Sequence, residues 1–177
     1  MRPDSCRRLL SGSLCLAAVL SAWSCGSGGE TEDEFPDIKG TYGGLAAYSG
    51  SSYLRWIAAD GTVTARQCSV MIGVTEQSGA SFGGNLQRVQ FGSGQPGLCT
   101  GQGTIAGEIA TDRTIRFQLT QERWATCTAR GPVPYTGTIT SGGELDASGS
   151  VALQCDDGST VTVQDHLHAE LPRLPGP

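Results

Sequence analysis

The sequence has few of the residues that usually carry out catalysis. It contains 2 histidines in 177 residues, and they are His166 and His168. No Gly-x-Ser-x-Gly or His-Glu-x-x-His motif occurs, and no Ser, His and Asp grouping is evident. Gly101-x-Gly103 is too short for a phosphate-binding loop and opens no predicted helix. These absences predict a protein that is not an enzyme and has no cofactor.

A strong charge of either sign is also lacking in most of the chain. From Lys39 onward there are 9 Lys or Arg and 11 Asp or Glu residues, a net charge of −2. Such a balance gives no electrostatic reason to bind nucleic acid, so no nucleic-acid partner is predicted. Aromatic residues make up only 6% of the chain. Their scarcity, together with much Gly, Ala and Thr, predicts a thin hydrophobic core.

A hydrophobic run long enough for a transmembrane helix is absent as well. The run over residues 9–23 is mostly apolar but falls short of the roughly 20 apolar residues that a spanning helix needs. Arg2, Arg7 and Arg8 precede it. A basic start, a short apolar run and small residues after it are typical of a signal peptide. We therefore predict a helical signal peptide over residues 1–24.

The residues around Cys25 indicate what happens after export. Small residues stand close to this cysteine, and Gly26 follows it directly. The arrangement resembles the lipobox of bacterial lipoproteins, in which the cysteine thiol takes a diacylglycerol and becomes the first residue. The resemblance implies that Cys25 is a lipid anchor bearing acyl chains such as palmitate. It further implies a place in the cell envelope and, because Gly26 rather than Asp follows the anchor, at the outer membrane. Ala22-x-Ser24 also fits the cleavage site of a soluble secreted protein, which stays open as the alternative.

Composition divides the remainder of the chain into three parts. Residues 25–38 are acidic and rich in glycine, which predicts a flexible, lipid-anchored tether. Residues 39–171 have the length of one ordinary domain. Residues 172–177 are predicted to be a disordered tail.

The domain shows the residue pattern of β-strands. Polar and apolar residues alternate over residues 114–120, and the same period recurs elsewhere, whereas an apolar period of 3.6 residues is missing. Turn signals such as Asp60-Gly61 separate the runs. The pattern predicts an all-β antiparallel meander of about eight strands. The predicted strands lie near 40–48, 53–59, 62–74, 81–91, 102–110, 113–124, 133–140 and 144–155, with a last one at 160–170 that pairs back with the first.

A meander of this length must close or fold into two layers, because open strand edges invite aggregation. We predict a small up-and-down barrel, with a two-layer β-sandwich as the alternative. In outline the prediction resembles the lipocalin-like barrels. A three-residue loop at 141–143 also fixes one register in advance, provided that small or apolar residues face each other. The predicted pairs are Ile139 with Leu145, Gly137 with Ala147, and Val133 with Val151.

The cysteines of the domain predict two disulfide bonds. Cys68, Cys99, Cys127 and Cys155 remain once the signal peptide and the anchor are set aside, an even number in an exported domain. Their spacings of 31, 28 and 28 residues are close to periodic, so each interval is interpreted as one hairpin unit. We prefer Cys68–Cys99 with Cys127–Cys155, since this pattern needs only local pairing. The alternative joins Cys99 to Cys127 and Cys68 to Cys155.

Three polar residues of the last predicted strand are candidates for a functional site. His166 and His168 are two residues apart and so share one face of the strand, as suits a metal site. That face is the solvent side, because Val163 and Leu167 occupy the other. With a third ligand unidentified, no metal is predicted. Asp165 shares the parity of the apolar residues, which makes it a candidate buried carboxylate, and a bulge that shifts the parity is the alternative.

These observations predict an exported, membrane-anchored β-barrel lipoprotein with a non-catalytic binding or structural role in the cell envelope. One alternative is a carrier with a small apolar ligand inside the barrel, since eight strands are wide enough to hold one. Another is a metal-binding or hydrolytic protein that uses His166 and His168. The expected partners are the membrane, through the anchor, and either a small apolar ligand or an envelope protein. A filled barrel interior would favour binding at the outer surface.

Overall fold

The computed structural model describes residues 34–44, 49–90, 97–121 and 123–171. Its strands are β1 (Gly40–Gly43), β2 (Gly50–Ala58), β3 (Val63–Ser78), β4 (Ser81–Gln90), β5 (Gly101–Ile109), β6 (Thr114–Thr120), β7 (Cys127–Ala129), β8 (Val133–Ile139), β9 (Glu144–Cys155) and β10 (Thr160–Glu170). Within these ranges no helix is long and apolar enough to cross a membrane. The predicted signal peptide, the Cys25 anchor and the tail at 172–177 lie outside the described residues.

The strands form one closed antiparallel barrel. Eight of them follow each other around it in the order β2, β3, β4, β5, β6, β8, β9, β10, and β10 returns to pair with β2. β1 lies beside β3, and β7 pairs with the end of β9. The predicted all-β barrel is therefore confirmed, and the sandwich alternative is wrong.

The pairing of the last strand differs from the prediction. It closes the barrel on β2 and not on the first strand, which is only four residues long. Nine consecutive pairs join Val161–Ala169 to Gly50–Ala58. β10 pairs with the longer strand because β2 offers a complete ladder of backbone hydrogen bonds. β1 could satisfy the backbone N–H and C=O groups of only part of β10.

Two strands also begin or end at residues other than those predicted. β3 runs to Ser78 instead of ending near residue 74, and the register shifts between Val74 and Glu76, where it pairs with β4. A bulge of this kind lets a long strand bend and continue. The predicted strand at 113–124 ends at Thr120, and the short β7 follows separately.

The hairpin of β8 and β9 has the predicted register. Ile139 faces Leu145 and Gly137 faces Ala147. A Cβ atom on Gly137 would lie 2.0 Å from the backbone oxygen of Asp146, so the close approach of these strands requires glycine. The ladder ends at Tyr135 and Gly149, before the predicted pair of Val133 with Val151, because the end of β9 pairs with β7.

Side chains fill the interior of the barrel. Alternate residues of each strand point inward, and nearly all the apolar ones are at most 6% exposed. The rings of Phe117 and Tyr135 stack with their centroids 4.9 Å apart. Side chains with so little accessible surface leave almost no space for a water molecule beside them. The core is therefore well filled despite its few aromatic residues.

The ordered domain begins earlier than predicted. Ile38, at the end of the predicted tether, is buried, and its backbone N–H donates to Oε1 of Gln77 at 2.9 Å. Gln77 Nε2 in turn donates to the carbonyl oxygen of Pro36 at 2.8 Å. The Tyr42 hydroxyl donates to the carbonyl oxygen of Ile38 at 2.8 Å. These contacts attach residues 36–38 to the barrel, so the domain starts before Lys39.

Candidate functional site

The two histidines lie on the outer face of β10, as predicted. The side chains of His166 and His168 are 53% and 35% exposed. Asp146, on the neighbouring strand β9, contacts both: its Oδ1 lies 3.2 Å from Nε2 of His166 and its Oδ2 lies 3.1 Å from Nδ1 of His168. Ser148 Oγ is 2.9 Å from Nδ1 of His166. The cross-strand register places these side chains together, and parity along β10 alone could not have identified Asp146.

This outer cluster does not have the geometry of a metal site. Among the residues that the structure describes, no group of three or more His, Cys, Asp or Glu side chains is placed to hold a metal ion. His166 also borders a hollow of about 580 Å³ that Tyr53 and Arg55 line with it. The arrangement is a hydrogen-bonded polar surface on the outside of the barrel.

Asp165 points into the barrel and is 4% exposed. The register of β10 is unbroken on both sides of this residue, so the bulge alternative is wrong. Its carboxylate pairs with the guanidinium of Arg88, which is 2% exposed. Oδ1 accepts a hydrogen bond from the Ser52 hydroxyl at 2.7 Å, and Oδ2 accepts one from the Tyr135 hydroxyl, also at 2.7 Å. The buried carboxylate is thus fully surrounded by donors.

The hydroxyl groups beside this ion pair connect its two ends. Ser52 and Tyr135 each donate to Asp165, and each accepts from Arg88: Nε donates to Ser52 and Nη2 donates to Tyr135, both at 3.0 Å. Every hydroxyl therefore acts as donor and acceptor at once, which is the condition for a stable buried polar network. We call these four residues the interior network.

Burial and charge act in opposite directions on these groups. Burial lowers the pKa of Arg88, but Asp165 and Tyr135 raise it by more, so the pKa lies above its ordinary value and the guanidinium stays charged. Burial raises the pKa of the Tyr135 phenol well above its ordinary value, Arg88 opposes this shift, and Asp165 adds to it. Both groups keep their protons at neutral pH. Because all four residues are buried, the interior network is part of the core of the barrel.

Sequence reasoning missed Arg88, although a signal existed. Arg88 shares its parity in β4 with Phe82 and Leu86, both of which point inward. An arginine at such a position is a rare event that requires a buried partner. The inward parity of Asp165 supplied that partner, so comparing the two strands would have predicted the pair.

The interior network continues into a segment outside the barrel wall. Arg88 Nη1 donates to Oε1 of Gln121 at 3.0 Å, and Gln121 Nε2 donates to the backbone oxygen of Arg123 at 2.6 Å. The guanidinium carbon of Arg88 also lies 4.7 Å from the ring centroid of Trp124. The start of the connection between β6 and β7 is therefore held from inside the barrel.

The two disulfides have the preferred pattern. Cys68 is bonded to Cys99 and Cys127 to Cys155, which confirms the local pairing and excludes the alternative connectivity. Cys99 lies in the connection between β4 and β5, and Cys127 begins β7 directly opposite Cys155 of β9. Each disulfide thus fastens one connecting segment at the same end of the barrel.

These two segments form the sides of a groove of about 1210 Å³. Residues 97–100 are one side, called the β4–β5 wall, and residues 123–126 are the other, called the β6–β7 wall. The floor consists of the outward-facing side chains of three strands, which are Asn85 and Gln87 of β4, Gln102 and Thr104 of β5, and Thr120 of β6. The groove is somewhat larger than the usual 300–1,000 Å³ of small-molecule sites. It is the candidate functional site, and sequence reasoning missed it, since its shape depends on loops.

Comparison with known proteins adds no assignment. The chain matches no protein-family model, and no curated protein and no solved structure shows a significant similarity to it. The function must therefore be inferred from the groove, the disulfides and the filled interior.

Proposed function

We propose that the chain is an exported, lipid-anchored β-barrel protein with a non-catalytic binding role in the cell envelope, and that its partner binds in the groove. The observation that carries this proposal is the placement of the disulfides, one at each wall. Disulfides persist in oxidising compartments, so they are compatible with export. Walls that are fastened in advance lose little freedom when a partner binds, which favours binding.

The filled interior supports the outer surface as the binding place. A carrier needs an apolar cavity inside the barrel, whereas the inward side chains here pack against each other with almost no exposure. The groove, by contrast, is open and is floored by exposed polar side chains. These facts favour an envelope binding protein over a carrier of an apolar ligand.

Attachment to the membrane is assigned to Cys25 on the basis of the lipobox resemblance. Each buried CH₂ group of an acyl chain contributes about 0.8 kcal/mol, and two or more chains hold a protein stably on a membrane. The anchor would keep the barrel close to the outer membrane, within reach of other envelope components.

Metabolic labelling tests export and anchoring together. Cells grown with labelled palmitate should incorporate label into the wild-type protein and into Cys15→Ser, whose changed residue leaves with the signal peptide. Cys25→Ser should carry none. Gradient fractionation of the membranes should place the labelled protein with the outer membrane. Label on Cys25→Ser, or none on the wild type, would overturn the anchor, and unlabelled protein in the medium would identify a soluble secreted protein.

A further inference from the structure

We propose that the groove binds an uncharged glycan. This inference rests on the proposed function for the choice of the groove as the binding site, and it adds the chemical class of the partner.

The floor of the groove consists of amide and hydroxyl side chains in cross-strand rows. Gln87 faces Gln102 directly across β4 and β5, and Asn85 faces Thr104 in the same way. Thr104 in turn faces Thr120 of β6. Since adjacent strands lie about 4.8 Å apart, the row of three residues extends across about 10 Å of surface. A ligand seated here meets hydrogen-bonding groups at regular intervals along its length.

The amide side chains of the floor face outward into the groove. Within the described part of the chain, no hydrogen bond uses the side chain of Asn85, Gln87 or Gln102. An amide side chain offers two donor hydrogens and one acceptor oxygen, and a threonine hydroxyl can donate and accept. A sugar ring carries hydroxyl groups that both donate and accept, so it complements this surface. The floor therefore matches a polyhydroxylated ligand.

The described lining residues of the groove carry little net charge, which favours an uncharged partner. Arg123 is the one charged side chain among its described lining residues, and its Nη2 lies 2.6 Å from Oδ2 of Asp156. That carboxylate already balances the guanidinium. An anionic or a cationic ligand would lose hydration without gaining an opposite charge, whereas a neutral glycan avoids this cost.

A peptide fits the groove less well than a glycan does. One common way to bind an extended peptide is to add it as a strand to a free sheet edge. β4 and β5 have no free edge, because β4 pairs with β3 and β5, and β5 pairs with β4 and β6. Of the leucines that line the groove, Leu86 is buried, which leaves Leu98 as the larger apolar side chain at the walls.

The walls are fixed before the ligand arrives. The Cys68–Cys99 bond holds the β4–β5 wall, while the Cys127–Cys155 bond and the interior network hold the β6–β7 wall. Hydrogen bonds to neutral ligands are individually weak after exchange with water, so recognition gains much from groups that need no rearrangement. The two disulfides thus hold both walls of the groove, where rigidity would help binding.

Titration of the mature chain, isolated in detergent, tests the proposal. The probes are chitotetraose and cellotetraose as neutral glycans, tetragalacturonic acid as an anionic glycan, and tetra-alanine as a peptide. Binding is followed by chemical-shift changes of the side-chain NH₂ groups of Asn85, Gln87 and Gln102 in ¹⁵N spectra. We expect saturable shifts at these groups with at least one neutral glycan. We also expect the double variant Gln87→Ala with Gln102→Ala to weaken its affinity about tenfold, as two lost hydrogen bonds imply.

Gln164→Ala is the matched control, because this glutamine is also exposed on the outer face but lies on β10, away from the groove. It should bind the glycan as the wild type does. No shift with either neutral glycan would overturn the inference, and so would tighter binding of the anion, binding of tetra-alanine alone, or equal losses in the double variant and the control. The outcome is independent of the palmitate experiment: a failed anchor leaves the titration interpretable, and a failed titration leaves the anchor standing.

Discussion

Replacing Asp165 with asparagine should destabilise the barrel strongly. The substitution keeps the shape of the side chain but removes its negative charge, and its amide group presents donors where the carboxylate accepted hydrogen bonds. Arg88 would then stay inside the barrel as a charge without a counter-charge. The hydroxyls of Ser52 and Tyr135 would compete for the single remaining side-chain oxygen.

The magnitude follows from the burial of both partners. Breaking a buried ion pair by removing one member costs about 3–5 kcal/mol, because an uncompensated charge remains. Asp165 and Arg88 are 4% and 2% exposed, so solvent cannot take over the lost contacts. A small domain has a total stability of about 5–15 kcal/mol, so the loss would be a large fraction of it.

Urea unfolding with the disulfides intact measures this loss, and the fluorescence of the buried Trp56 and Trp124 reports it. Asp156→Asn is the matched control, since it breaks an Arg–Asp pair whose carboxylate is 61% exposed. That exposed pair should contribute less than about 1 kcal/mol. The double variant Arg88→Met with Asp165→Leu, which removes both charges, should be more stable than Asp165→Asn.

Two results would contradict this reasoning. A loss of less than about 1 kcal/mol for Asp165→Asn would mean that Arg88 finds another partner or leaves the interior. Equal losses in Asp165→Asn and in the double variant would show that the unpaired charge does not cause the effect.

The remaining predictions concern the disulfides, alkaline pH and the histidines. Under increasing dithiothreitol, alkylation and mass spectrometry should detect Cys127–Cys155 reduced first, because Cys155 is partly exposed whereas both sulfurs of the other disulfide are buried; the reverse order would refute this. Above about pH 10 the unfolded chain loses the tyrosine protons that the folded state retains, so the free energy of unfolding should fall with rising pH by up to about 1.4 kcal/mol per unit for each buried tyrosine. Tyr135→Phe should make this fall shallower, and Tyr53→Phe, at an exposed position, should leave it unchanged; equal slopes in both variants would exclude Tyr135 as the cause. Replacing both histidines of β10 with alanine should change stability by less than about 0.5 kcal/mol and leave zinc titrations flat, and tight zinc binding lost in the variant would restore the metal hypothesis.

Much of the barrel could be predicted because its information is local. The alternation in residues 114–120 is visible without any knowledge of neighbouring strands, and the loop at 141–143 fixes the register of its own hairpin. The disulfide pattern was accessible for the same reason, since each bond closes a short interval of 31 or 28 residues. Local patterns of this kind predict which residues face inward, but they do not predict which inward residues meet.

The interior network shows that limit. Arg88 and Asp165 are 77 residues apart in sequence, and only the closure of the barrel brings them together. The parity of Asp165 in the last strand identifies it as a candidate buried residue. Its partner depends on the tilt of the strands and on which inward side chains lie at the same height in the barrel. The groove is harder still to predict, because its walls at residues 97–100 and 123–126 have no regular pattern.

The buried ion pair and the groove belong to the same arrangement. A core of apolar residues alone would stabilise the barrel equally well, since a buried ion pair seldom adds net stability. Arg88 does something that an apolar side chain cannot: it holds Gln121 by a hydrogen bond and Trp124 by its ring, and Gln121 reaches the backbone of Arg123. The β6–β7 wall is thereby tied to the interior at one end and to β9 by Cys127–Cys155 at the other. This connection is therefore attached at both of its ends, and it forms one wall of the groove in which we propose that the partner binds.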